Sequence, residues 1–351
     1  MPVQGHGVSL DSDMEEVVTQ NVEDLIGHDA PSRDEPADES ASPSGVIRMY
    51  LVSLKERLIQ EMEHNPWPKC YLDGQFWIYP PDPYFAMHKG ARAPGGLNPE
   101  TLYHPPVFLW LPHLLNDTHY LCPMPSCQNH KNSKAPLTIK GWNDKPIARR
   151  VVTLDGVYYI MTQRIQCHKC TGGCGKSWNL YDAIILEQME HGLAAAFPAF
   201  LTHRSGIDKT LMTLIRAGMA HRLSASAWAD ILRELNVRRH DLHELDYLHA
   251  IFREKKKSAL LNIQSNIYAP FSKFDDKDGY AGFCPSRWYI NSVYMDYMEH
   301  IHPILDQCMS ALTGYIIKWD HSFKLPKLLT KLDGVPAFVG LFTLVNEFEQ
   351  I

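Results

Sequence analysis

Apolar positions recur with a helical period over residues 46–64, VIRMYLVSLKERLIQEMEH, and this predicts a first helix. The period is then lost. Residues 65–118 crowd Pro, Gly and aromatic residues into NPWPKCYLDGQFWIYPPDPYF and YHPPVFLWLPHLL. Pro at that density excludes long helices, and the many large rings argue for a packed lead-in with short strands such as VFLWL. Residues 119–181 turn β-like. RRVVTL and VYYIMTQRI flank Asp155-Gly156, a strong hairpin signal because both turn positions need positive φ.

A helical period returns in four segments: LYDAIILEQMEHGL, GIDKTLMTLIRAGM, SASAWADILRELN with Ser224 as N-cap, and DLHELDYLHAIFREKKKSALLNIQ. PFSKFDDKDGYAGFCPS then reads as a loop. Beyond it, SRWYINSVYMDYMEHIHPILDQCMSAL predicts a helix, with TGYIIKWD and AFVGLFTLVNEFEQI as strands. The expected class is α+β, in six segments. These are a tail (1–45), a helix with a Pro/aromatic lead-in (46–118), a β region (119–181), a helical region (182–269), a linker (270–284) and a last α/β segment (285–351).

Charge sharpens the first boundary. Residues 1–45 hold 11 acidic residues and one basic residue, Arg33. With so little to bury, they are expected to form a disordered acidic tail. The remainder holds 29 acidic and 33 basic residues, a balance that permits nucleic-acid binding without demanding it. No apolar run approaches the ~20 residues of a membrane span. The first residues lack a secretory pattern, so an intracellular protein with free or metal-bound thiols is expected.

The candidate chemistry lies in the cysteines. Cys122 and Cys127 stand in YLCPMPSCQNH, and Cys167 and Cys170 in IQCHKC. Two short-spaced pairs around a hairpin fit a zinc ribbon, in which each tight turn offers two thiolates to one structural Zn²⁺. Cys174 is the alternate fourth ligand, and His130 and His168 are further candidates. A redox role is disfavoured because Cys167-x-x-Cys170 opens no clear helix. Cys70, Cys284 and Cys308 lack close partners and read as small apolar residues. Beside the ribbon stand Lys140, Arg149, Arg150, Arg164, Lys169 and Lys176. They could contact the phosphates of DNA or simply guard strand edges. Trp142 and Trp178 could stack on bases or pack. His203, Arg204 and Asp208 read as a helix start, and REKKK (253–257) as a solvated helix face or a phosphate patch.

The motifs CPMPSC, RRVVTLDGVYYIMTQRIQCHKC and FPAFLTHRSGID together resemble an uncharacterised fungal domain of proteins with mobile-element origin, over roughly residues 95–265. YIIKWDHSFKLPK and VPAFVGLFTLVNEFEQI resemble the start of an RNase H-like transposase core of the Mutator-like kind. The resemblance implies a nuclear, DNA-associated protein. It also makes Asp320 the first of three carboxylates that clamp two Mg²⁺ or Mn²⁺ ions. Only Asp333, Glu347 and Glu349 follow Asp320. The expectation is therefore an incomplete core with a vestigial Asp320, no catalysis by this chain alone, and Mg²⁺ or Mn²⁺ only if another chain or missing sequence completes it. A zinc-scaffolded protein-interaction module is the remaining alternative.

Overall fold

The computed structural model describes residues 43, 45–91, 96–115, 119–260 and 268–310, with four further short strands up to residue 345. The stretch expected as an acidic tail lies outside the described residues but for residues 43 and 45. In chain order the elements begin with α1 (Gly45–His64), α2 (Lys69–Leu72), β1 (Trp77–Ile78), α3 (Pro83–Gly90) and β2 (Val107–Trp110). Next come β3 (Thr138–Trp142), β4 (Arg149–Thr153), β5 (Gly156–Gln166) and β6 (Ser177–Asn179). They are followed by α4 (Ala183–Leu186), α5 (His191–Ala196), β7 (Ala199–Leu201), β8 (Gly206–Asp208), α6 (Lys209–Ala220), α7 (Ala225–Leu260) and α8 (Arg287–Ser310). The α+β class is as expected from the pattern.

The chain divides into two compact units. One comprises residues up to Asp208 with Leu232–Cys284, and the other Lys209–Ile231 with Pro285–Ile351. The first unit is built on a mixed sheet of order β1-β2-β5-β4-β8-β7. β2 runs parallel to β5, and β4 parallel to β8. The predicted hairpin forms, but its turn lies one residue earlier, at Leu154-Asp155, because Thr153 pairs with Gly156 across β4 and β5. Gly156, the first residue of β5, takes a positive φ of +108°, whereas Asp155 does not adopt the positive φ expected of it.

β5 is the longest strand and belongs to two layers of pairing. Its first half lies between β2 and β4. Its second half lies between β3 and β6, both antiparallel to it. Side chains alternate across the strands. Phe108, Trp110, Tyr158, Ile160 and Ile165 enter one core. Val107, Leu109, Tyr159 and Met161 enter the other, against Leu51, Leu54 and Leu58 of α1. With both faces covered, β2 has every residue buried, which is why VFLW reads as a continuous apolar run. Trp110 satisfies its buried Nε1–H on the Leu180 carbonyl at 3.0 Å.

Three elements depart from the pattern. The segment 180–193 was expected as one helix but divides into α4 and α5 with a break at residues 187–190. There Gln188 turns back to the Leu121 backbone: Oε1 accepts its N–H at 2.8 Å, and Nε2 donates to its carbonyl at 3.2 Å. Gly206-Ile207-Asp208 forms β8 rather than opening a helix, because Gly206 lets the strand close on Phe200 and Val151. The third and fourth predicted helices are one continuous α7, since no Gly or Pro interrupts residues 225–260. Its start is as expected: Ser224 Oγ accepts the Ala227 N–H at 3.2 Å.

In the second unit Trp228 packs on Gly218, where any Cβ would strike its ring. β9 (Lys318–Ser322) pairs antiparallel with β12 (Leu341–Val345), and β10 (Lys331–Leu332) with β11 (Val335–Pro336). Among the described residues, no helix is long and apolar enough to cross a membrane.

Tyr71 ties α2 to the sheet. Its hydroxyl donates to the Leu109 carbonyl at 3.0 Å and accepts the Leu111 N–H at 2.8 Å. Tyr71→Phe strands a buried N–H and should cost about 1–3 kcal/mol. Denaturant unfolding checks this; an unchanged midpoint would contradict the packing described.

Candidate metal centre

At the far end of β5 the chain forms two tight loops that face each other. The first spans residues 122–131. It is closed by backbone bonds from Cys127 N–H to Met124 O and from Lys131 N–H to Cys122 O, at 3.0 and 3.1 Å. The second follows β5 directly and spans 167–175, closed by Gly175 N–H to Cys167 O at 2.9 Å. Three glycines make the second loop possible. Gly172 and Gly175 hold φ of +77° and +75°, a region that L side chains rarely enter. At Gly173 a Cβ would fall on the Cys167 sulfur and the His168 carbonyl.

The loops bring together Cys122, Cys127, Cys167 and Cys174, whose sulfurs all lie within 4.8 Å of one another. Cys122 Sγ is 3.8 Å from Cys174 Sγ, and Cys127 Sγ is 3.8 Å from Cys167 Sγ. These separations are far from a ~2.05 Å disulfide bond. They match the roughly 3.8 Å edge of a tetrahedron whose metal–sulfur bonds are about 2.3 Å. Four such thiols could hold a metal ion.

The surroundings favour bound thiolate only in the company of a cation. Burial pushes the Cys122 thiol up to about 12, so its ionisation needs nearby positive charge. Burial also opposes ionisation of Cys127, but the Asn129 N–H, 3.4 Å from its sulfur, and the neighbouring thiols outweigh it and lower the pKa. The centre is part of the protein's interior: Cys122, Cys127 and Cys167 belong to the same core as Phe108 and Trp110.

The fourth sulfur is not the one expected first. Cys170 is exposed and stands apart from the group, because the single 3₁₀ turn Lys169–Thr171 carries it outward. Cys174, the alternate, occupies the fourth corner. His130 and His168 also lie outside the group. The legible signal was the run Thr-Gly-Gly-Cys-Gly-Lys: glycines on both sides of Cys174 mark it, not Cys170, as the residue on a tight turn. A second close group, His240, Asp241 and Glu244, is not a comparable site. His240 spends Nε2 on the Ser272 carbonyl at 2.8 Å and Nδ1 on Asp241 at 3.1 Å.

Beside the centre, on β4–β6 and the loops that flank them, an open cleft of about 630 Å³ is lined by Lys145, Arg149, Arg164 and Arg204, with Trp178 and Tyr181. Its acid, Asp144, is already paired with Lys55 at 2.6 Å. Hydrogen bonding to that lysine holds the Asp144 carboxyl below the usual range. Arg149 is anchored by its Nε–H to the Ser205 carbonyl at 3.0 Å and lies 5.5 Å from the Tyr181 ring centre. The floor is an amide chain: Asn143 Nδ2 donates to Asn179 Oδ1 at 3.0 Å, and Asn179 is held in turn by Asp182.

Of the six cations read from the sequence, Arg149 and Arg164 line this cleft, and Lys140 reaches its rim through Ser177 at 3.5 Å. Arg150 points to the opposite face of β4, its guanidinium 3.6 Å from the Phe283 ring centre. Lys169 packs along Gly175, and Lys176 reaches Met124 Sδ at 3.6 Å, so both sit at the cysteine loops. Lys145, His203 and Arg204 were not singled out as a cationic set, because nothing in sequence spacing joins residues 145, 164 and 204. Trp178 lines the cleft, whereas Trp142 packs against the α1 core. Asp320 lies on β9 opposite Thr343 of β12. Asp333, Glu347 and Glu349 fall outside the described residues, as does the side chain of Cys308.

Metal analysis of purified protein separates the two assignments of the fourth ligand. Cys174→Ser should lose most of the bound metal, while Cys170→Ser keeps it. Equal retention by both variants would contradict the four-sulfur centre.

No curated protein and no solved structure matches the chain. Residues 62–294 match one family, and that match covers β1 to β8, both cysteine loops and the cleft. The chain belongs to the family described as a domain of unknown function, DUF6729.

Proposed function

We propose that the cysteine centre holds a structural Zn²⁺ in a zinc ribbon, and that the adjoining cleft binds the sugar-phosphate backbone of nucleic acid. Four thiolates at tetrahedral spacing, with no water or substrate position among them, suit zinc in a closed structural role. The metal would contribute folding free energy and cross-link the two loops. Cys122, Cys127, Cys167 and Cys174 would hold it, and the nearby Lys169 and Lys176 would offset the negative charge of the thiolates.

The observation that carries the binding reading is the cleft itself. It gathers four cations around Trp178 and Tyr181, and its single acid is neutralised by Lys55. Guanidinium groups can grip phosphate bidentately, and the half-buried indole of Trp178 offers a base something to stack on. In this reading the protein is a nuclear, DNA-associated descendant of a mobile element that lacks catalysis of its own. Its support is the resemblance of the cysteine region and of the Asp320 strand to such proteins.

Fluorescence anisotropy with labelled single-stranded and duplex DNA, titrated against salt, tests the reading. Binding should weaken linearly in log–log form with salt. Arg164→Ala and Arg204→Ala should each weaken it and reduce the slope by about one. Asp320→Asn should leave binding unchanged. No binding of either DNA at low salt would overturn the proposal and favour a scaffold for protein contacts.

A further inference from the structure

The helix α7 presents a second apolar face that its own fold does not use. Leu232, Asn236, His240, Tyr247 and Ala250 are buried on one side. On the other, Leu242, Leu245, Leu248 and Phe252 are 50, 49, 48 and 68% exposed. Their spacing of three, three and four residues lines them up on one stripe. Tyr84 and Phe85 of α3, 57 and 68% exposed, extend it. Tyr84 and Phe252 border a groove of about 350 Å³ that Asp246, His249 and Arg253 also line. A continuous apolar surface of this kind is uncommon on a solitary domain.

The charges along the stripe say what covers it. From Asp241 to Asp246 the helix carries Asp241, Glu244 and Asp246, after Arg238 and Arg239. From Arg253 to Lys257 it carries Arg253, Lys255, Lys256 and Lys257 with one acid, Glu254, so the first part is net acidic and the last net basic. A second copy laid parallel would set acid against acid and base against base. A copy laid antiparallel, about a two-fold axis near His249, sets each acidic turn beside the basic turn of its partner. At that register Glu244 comes level with Lys255 of the second copy on one flank, and Asp246 with Arg253 on the other. Leu245, Leu248 and Phe252 fill the seam between them. Such self-complementarity is the requirement of an isologous interface. Among the described residues, Arg253 rests over the Tyr84 ring at 5.1 Å and Lys255 near the Tyr268 ring at 5.9 Å, while Glu254 between them pairs with Lys257 at 3.8 Å.

We infer that the exposed face of α7 is the interface of an antiparallel homodimer. The surface is separate from the cysteine centre and the basic cleft, and it stands whether or not the cleft binds nucleic acid.

Sedimentation equilibrium over a range of concentrations tests the inference on the full chain. The wild-type protein should dimerise. Glu244→Lys with Asp246→Lys should give monomers, as should Arg253→Glu with Lys255→Glu, because each variant sets like charges together. Mixing the two variants should restore a dimer, since every cross-chain contact is then between opposite charges. Circular dichroism confirms that each variant is folded. Leu248→Ser with Phe252→Ser, which leaves the charges alone, should also be monomeric. A wild-type chain that stays monomeric throughout would overturn the interface. So would dimers that survive both charge reversals, or variants that fail to pair when mixed.

Discussion

Everything in the first unit depends on what happens at the end of β5. A strand of eleven residues is held in its first half by β2 and β4. In its second half it is held only by the short strands β3 and β6. Short antiparallel partners contribute little on their own. Two loops, one before β3 and one between β5 and β6, carry four thiols into one cluster, so that a single ion there would tie the lead-in to β3 to the β5–β6 turn. The cost of gathering four ionisable sulfurs in an apolar interior is met only when a cation neutralises them.

That centre and the hydrophobic core are one structure. The cysteine side chains share a cluster with Trp110, Phe108 and Phe197, and Gln188 stitches the helical layer to the residue before Cys122. Rigidity gained at the cysteines therefore extends to β5 and β6, whose neighbouring positions place Arg164 and Trp178 along the cleft. In the proposed reading, an ion held at the cysteines would take no part in recognition, but would hold in place the strands that line the cleft.

Much of this was legible before any coordinates. The β4–β5 hairpin, with its turn one residue earlier than expected, the VFLW strand and the Ser224 cap each follow from a local rule, and each formed. The paired cysteines announced a cluster, and three of its members were evident from spacing alone. The fourth was obscured because Cys167-x-x-Cys170 has the more familiar spacing. Glycine chemistry decided the matter: only Gly173 can lie against the Cys167 sulfur, and this closes the loop at Cys174. The cleft was only half legible. Arg149 and Arg150 are adjacent in sequence, yet the alternation of β4 sends them to opposite faces. Arg204 joins Arg164 only through the pairing of β8 with β4, a parallel contact that no local pattern encodes. The merging of two helices into α7 was missed because residues 237–240, Val-Arg-Arg-His, were assigned to neither predicted helix, although they contain no helix breaker.

Sulfur coordination is the most direct test of the central claim. X-ray absorption at the zinc edge should show four sulfur neighbours at about 2.3 Å and no nitrogen shell, with the same spectrum for Cys170→Ser. A mixed nitrogen–sulfur shell, or a spectrum that changes when Cys170 is replaced, would contradict the assignment of Cys122, Cys127, Cys167 and Cys174 as the centre on which the fold is built.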